Sequence, residues 1–222
     1  MKLYSQVSVL LGAALAFSTA LMSAETIQLG SYQTGGPNLG NNNTAVSYIG
    51  SPSTTYALNP GTVWAPAGAN SVWVSNNPGS GPGGSVVLPA GTYSYTTTFN
   101  TVAGNTYTGS IWLLADDTAN VLFNGQSLNT FVGLGSDNKC ADTGPNCTTP
   151  TLVILPSSFF VAGVNTLEFD LTQTIASAGL DFYGSATGTS PIPEPGTLFL
   201  LGTGLIGSAG LLMRRFQGFN QN

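Results

Sequence analysis

Between Thr92 and Phe99 the chain alternates: Tyr93, Tyr95, Thr97 and Phe99 fall on one side, with Thr92, Ser94, Thr96 and Thr98 on the other. A period of two is the signature of a half-buried β-strand, because successive side chains leave a strand on opposite faces. Runs of β-prone residues predict further strands over 106–115, 151–155, 159–162, 166–172 and 180–185. In 166–172, Leu167, Phe169 and Leu171 point inward and Glu168 and Asp170 outward. Ala119 to Leu128 reads as a hairpin, because Asn124-Gly125 supplies the two positive-φ residues that a type I′ turn demands. Weaker runs at Ala45–Ile49, Val63–Trp64 and Ser71–Ser75 add an edge strand and a further half-buried one, and 76–84 is a Pro/Gly loop. Helical periodicity is missing before the tail. Eight to ten short strands punctuated by turns predict an all-β fold, an antiparallel β-sandwich.

Two apolar runs lie outside this alternation. Near the N-terminus, Lys2 precedes the apolar Val7–Phe17 and then small residues, the pattern of a secretory signal helix cleaved after Ala20 or Ala24. Near the C-terminus, Pro193-Glu194-Pro195 is followed by an uncharged stretch, a helix expected over about 197–213, and then Arg214-Arg215. At about 1.5 Å per residue the apolar run reaches roughly 25 Å, enough to span a bilayer if upright. The arginine pair would stay on the cytoplasmic side, leaving everything before Pro193 outside. The organisation expected is therefore a signal peptide over 1–24, an irregular segment with one edge strand over 25–60, a β-sandwich over 61–188 and a tail over 189–222.

Composition narrows the function. Charged residues make up 6% of the chain, with nine acids against four bases and a net charge of −5. Lys139 is the one base outside the terminal segments, so phosphate contacts lack their usual donors and nucleic acid is excluded as a partner. There is no histidine, which removes Ser-His-Asp and Cys-His catalysis and every His-ligated metal site. Ser136-Asp-Asn-Lys139 overlaps two penicillin-binding signatures in one polar loop, where they are coincidence. Glu168 and Asp170 share a strand face at about 7 Å, as many solvated pairs do. An enzyme is not expected.

A disulfide and two binding chemistries remain to be weighed. Cys140 and Cys147 are expected to form a disulfide in an oxidising compartment, closing a short loop. No cofactor is called for beyond a structural calcium, to which Asp116, Asp117 and Asn120 could contribute oxygens, with Asp137, Asn138 and Asp142 as a second group. The competing explanation is that Asp and Asn favour turns. Glycan binding would use flat aromatic rings, for which Trp64, Trp73 and Trp112 are the candidates, with Tyr48 and Tyr183 beside them. In a sandwich most such rings are core.

The tail, with Pro193-Glu194-Pro195 before a short span and Arg214-Arg215, resembles the PEP-CTERM sorting signal of Gram-negative bacteria. That resemblance implies recognition and cleavage by exosortase after Sec-dependent export. The product would be an inner-membrane-anchored precursor that moves to the cell surface or matrix. Residues 60–187 carry Tyr93-x-Tyr95-x-Thr97-x-Phe99, then Leu114 to Gly125, then Phe159 to Phe169. They resemble the jelly-roll, galactose-binding-like ectodomain of such proteins. The expected function is that of a non-enzymatic surface or biofilm-matrix protein associated with exopolysaccharide. The alternative is a membrane-anchored carbohydrate-binding module.

Overall fold

In the computed structural model, residues 24–36, 45–134, 140–190 and 201–210 are described. Among the described residues eleven strands form two antiparallel sheets: β1 (Glu25–Gly30), β2 (Ser47–Tyr48), β3 (Tyr56–Ala57), β4 (Val74–Ser75), β5 (Gly91–Thr101), β6 (Thr106–Asp116), β7 (Thr118–Phe123), β8 (Gln126–Ser127), β9 (Thr151–Leu155), β10 (Gly163–Gln173) and β11 (Gly179–Thr189). One sheet runs β3-β4-β11-β6-β9, with β1 also paired to β11. The other runs β2-β5-β10-β7-β8.

The alternation of β5 and β10 sets the core. Leu167, Phe169 and Leu171 pair in register with Thr97, Tyr95 and Tyr93, and all three are fully buried. Across the interior, Phe169 stacks on Phe182 of β11 with ring centroids 4.6 Å apart. The inner faces thus meet as a sandwich whose apolar contact is the main stabilising term. At one end Phe160 packs edge-on against Phe123 at 4.8 Å and stacks on Tyr107 at 5.7 Å. The Asn124-Gly125 turn has φ of 50° and 77° as a type I′ hairpin requires. The Asn124 side chain also donates to Phe159 O and Asn165 Oδ1 and accepts from Thr166 N.

Three expectations need correction. Residues 25–60 hold more than an edge strand: β1 pairs along its whole length with β11, burying Ile27 and Leu29. Residues 159–162 are not a strand; Ser157–Phe159 turn as a 3₁₀-helix closed by Phe159 N bonding Pro156 O, which aims Phe160 into the end of the core. Val63–Trp64 and Ser71–Trp73 stay out of the sheets, because their backbone bonds go to separate partners: Trp64 N to Pro60 O, Val72 N to Ser31 O, and Leu58 N to Trp73 O.

The tail is described only over 201–210, which are helical and expose Leu201, Leu205 and Ile206. Among the described residues no helix is long and apolar enough to cross a membrane. The signal peptide, most of the expected span and the residues Pro193, Glu194, Pro195, Arg214 and Arg215 lie outside the described residues, as do Asp137 and Asn138.

Candidate functional site

The outer face of the six-stranded sheet is divided in two by a loop. On β6 the outward positions are Ser110, Trp112, Leu114 and Asp116, yet Leu114 and Asp116 are buried. They are covered by residues 58–73, where Leu58, Trp64 and Trp73 pack with Leu114 and Cys147 into a second apolar cluster. The two indoles stack at 4.2 Å. Trp73 Nε1 donates to Ala65 O at 2.9 Å, and Trp64 Nε1 donates to Asp116 Oδ2 at 2.5 Å. Gly179 must lack a side chain, since a Cβ there would sit 2.8 Å from the Trp64 ring.

Two of the three tryptophans offered for glycan binding are thereby placed in the core. Trp64 is 4% exposed and Trp73 0%, so neither has a free face. Trp112 is different, at 41% exposure. It lies just beyond the loop, paired across the sheet with Tyr183 on one side and Leu152 on the other. The next rung carries Ser110, Ser185 and Ile154, with Gln28 beyond. Aromatic, aliphatic, hydroxyl and amide groups make up this uncovered area, and no charged side chain points from these rungs.

Asp181, absent from the sequence reading, fixes the margin of that area. Its carboxylate accepts from Ser31 Oγ and Gly68 N, each at 2.8 Å. Burial pushes its pKa above the ordinary carboxylate value, and the hydrogen bonds from Gly68 and Ser31 oppose the shift. Gly68 in turn lies against the Tyr183 ring, where a Cβ would come within 1.8 Å of Cδ1. The buried acid therefore holds the loop that backs Tyr183. Nothing in the local pattern marks Asp181, because its cover comes from residues more than a hundred positions away.

The calcium candidates are dispersed. Asp116 faces the tryptophan cluster. Asp117, joined to it by a cis peptide, accepts from Thr174 N and Oγ1 at 2.7 Å. Asn120 bonds Ser127 and Thr130 on the other sheet. Among the described residues no group of three or more Asp, Glu, Cys or His is assembled. Glu168 and Asp170 do share the outer face of the five-stranded sheet, where Asp170 accepts from Ser94 Oγ at 2.5 Å. Cys140 and Cys147 are bonded, with Cα atoms 5.8 Å apart, and their loop docks on the tryptophan cluster through Ala65 N to Cys147 O. A cleft of about 50 Å³ beside Tyr107 and Phe160 is too small for a sugar ring.

Comparison with known families matches residues 191–215 to the PEP-CTERM protein-sorting motif. The motif points to an exported, membrane-associated precursor that exosortase processes. Among solved structures the chain is similar to the Podospora anserina GH26-CBM35 β-(1,4)-mannanase, at 18% identity and a TM-score of 0.32 over 77% of this chain. It spans 28% of the mannanase chain. No curated protein matches.

Proposed function

We propose that the chain is a non-enzymatic surface or matrix protein of a Gram-negative bacterium, a jelly-roll-like sandwich secreted through Sec and released from its membrane tail by exosortase. The PEP-CTERM match at 191–215, directly after the last strand, is the observation that carries this reading. Pro193-Glu194-Pro195 falls within the matched residues and is the part of the motif that we assign to recognition by the protease. Arg214 and Arg215 keep the far end of the span on the cytoplasmic side. The mature surface suits an extracellular setting rich in exopolysaccharide, because its polarity comes from Ser, Thr and Asn and hardly from charge. Glu194→Ala tests the motif in cells: precursor should accumulate in the inner membrane. Unchanged delivery of this variant to the surface would refute the role given to Glu194.

A second reading, a glycan-binding module, is favoured by the Trp112 and Tyr183 pair. Flat rings suit the C–H face of a neutral sugar, and the adjoining hydroxyl and amide row suits its hydroxyls. In affinity electrophoresis through the organism's own exopolysaccharide, the chain should be retarded and Trp112→Ala should run freely. Equal mobility with and without polysaccharide would remove this reading.

A further inference from the structure

The sandwich manages its sheet edges unequally. In the five-stranded sheet the edge strands β2 and β8 are two residues each, as is β3 in the other sheet. Short edges offer little backbone for a foreign strand to pair with. The edge strand β1 has six residues, but it turns Thr26 and Gln28 outward and begins at Glu25, whose carboxylate accepts from Tyr107 OH. β9 has none of these guards. Its five residues, Thr151-Leu-Val-Ile-Leu155, pair with β6 on one side, and among the described residues no strand pairs with the other. Leu152 and Ile154 are 47% and 59% exposed. No charged residue occurs between Asp142 and Glu168, so the lysines that usually protect such an edge are missing.

We propose that β9 pairs antiparallel with β9 of a second copy of this chain, centred on Val153, joining two six-stranded sheets into one. A second strand can replace water along this whole row of backbone donors and acceptors at once, and this strand is complementary to itself. Centring on Val153 sets Leu152 opposite Ile154 of the second copy and Thr151 opposite Leu155. The exposed aliphatic side chains then meet on the outer face, and the inward Val153 and Leu155 extend the core seam. Pro150 and Pro156 flank the strand and end the pairing after five residues. Because both copies use the same edge, the contact closes as a two-fold dimer and does not grow into a fibre. The outer face gains by this, since the Leu152 and Trp112 rungs of the two copies become one surface.

The test uses the full chain in detergent. Sedimentation equilibrium from micromolar to millimolar concentration should show a monomer–dimer equilibrium. Ile154→Lys, at a position exposed in the monomer, should weaken it by at least about tenfold while leaving the far-UV spectrum unchanged. The register is read separately with cysteines. Directly opposed residues have Cα atoms about 4.5–5.5 Å apart, within disulfide reach, whereas the diagonal Leu152 to Leu152 separation is about 7–8 Å. Mixing Leu152→Cys chains with Ile154→Cys chains should therefore give a disulfide-linked heterodimer faster than either variant links to itself. A monomer at every concentration, an association indifferent to Ile154→Lys, or cross-linking without preference for the mixed pair would each overturn the proposal.

Discussion

Replacing Trp73 and Trp112 by alanine in parallel measures what the loop over 58–73 contributes to the sandwich. Trp73 is fully buried. A tryptophan buries roughly 200 Å², which at about 25 cal/mol/Å² corresponds to about 5 kcal/mol, and measured truncations of this kind fall at about 3–5 kcal/mol. The stack on Trp64 at 4.2 Å and the bond to Ala65 O are lost in the same step. We expect Trp73→Ala to cost about 4 kcal/mol, a large part of the ~5–15 kcal/mol that holds a domain folded. Trp112, on the open side of the sheet, is 41% exposed and pairs across the strands with Tyr183 and Leu152, so Trp112→Ala should cost about 1 kcal/mol. Urea unfolding followed by far-UV circular dichroism gives both values without depending on the residues removed. Iodide supplies a second reading: quenching of the native fluorescence should fall in Trp112→Ala and persist in Trp73→Ala. Equal costs for the two variants, or a Trp73→Ala cost below about 1.5 kcal/mol, half the usual floor for such truncations, would refute the claim that this loop caps the sheet.

Replacing Cys140 and Cys147 together by serine opens a short loop and should cost about 2 kcal/mol in urea, with a shift in tryptophan emission because Cys147 packs on the Trp64 and Trp73 cluster; unchanged emission would contradict that packing. Asn124→Ala removes a turn residue and three side-chain hydrogen bonds at once, so a loss of about 2–3 kcal/mol is expected. If Asn124→Gly, which tolerates the positive φ, restores full stability, the side-chain bonds contribute nothing. Burial raises the Asp181 pKa, so the fold favours the protonated acid. That stability is complete below the ordinary carboxylate value of about 3.9 and is lost as pH rises through the raised pKa. Asp181→Asn should flatten the fall in urea midpoint over that window, and parallel curves for the two proteins would exclude Asp181 as its source.

Alternation located β5 and β10, β-prone runs located β6, β9 and β11, and the Asn124-Gly125 turn located β7. Ile111 and Leu113 take the inner face of β6, which is why Trp112 stayed outside. The continuous apolar run from Ile111 to Leu114 breaks the alternation, because Leu114 is covered on its outer face by a loop some fifty residues earlier. That distance explains what stayed hidden. Trp64 sits in a turn with no periodicity around it, and Asp181 occupies an outward strand position that only Ser31 and Gly68 make interior. In β1 the alternation of Ile27 and Leu29 was present, but six residues beside a Gly- and Asn-rich stretch give a weak signal. For Phe159–Ala162 the aromatic content suggested a strand, and Pro156 imposed a turn. The sorting residues are the reverse case, legible in sequence alone because they act as a linear signal.

We propose that the tail is a sorting signal removed on the way out of the cell. Intact mass measurement of the native protein recovered from the cell surface or medium tests it most directly. The expected mass is that of a chain that begins after Ala20 or Ala24 and ends near Pro193-Glu194-Pro195, without the apolar run or Arg214-Arg215. A mature surface protein that still ends at Asn222 would contradict it.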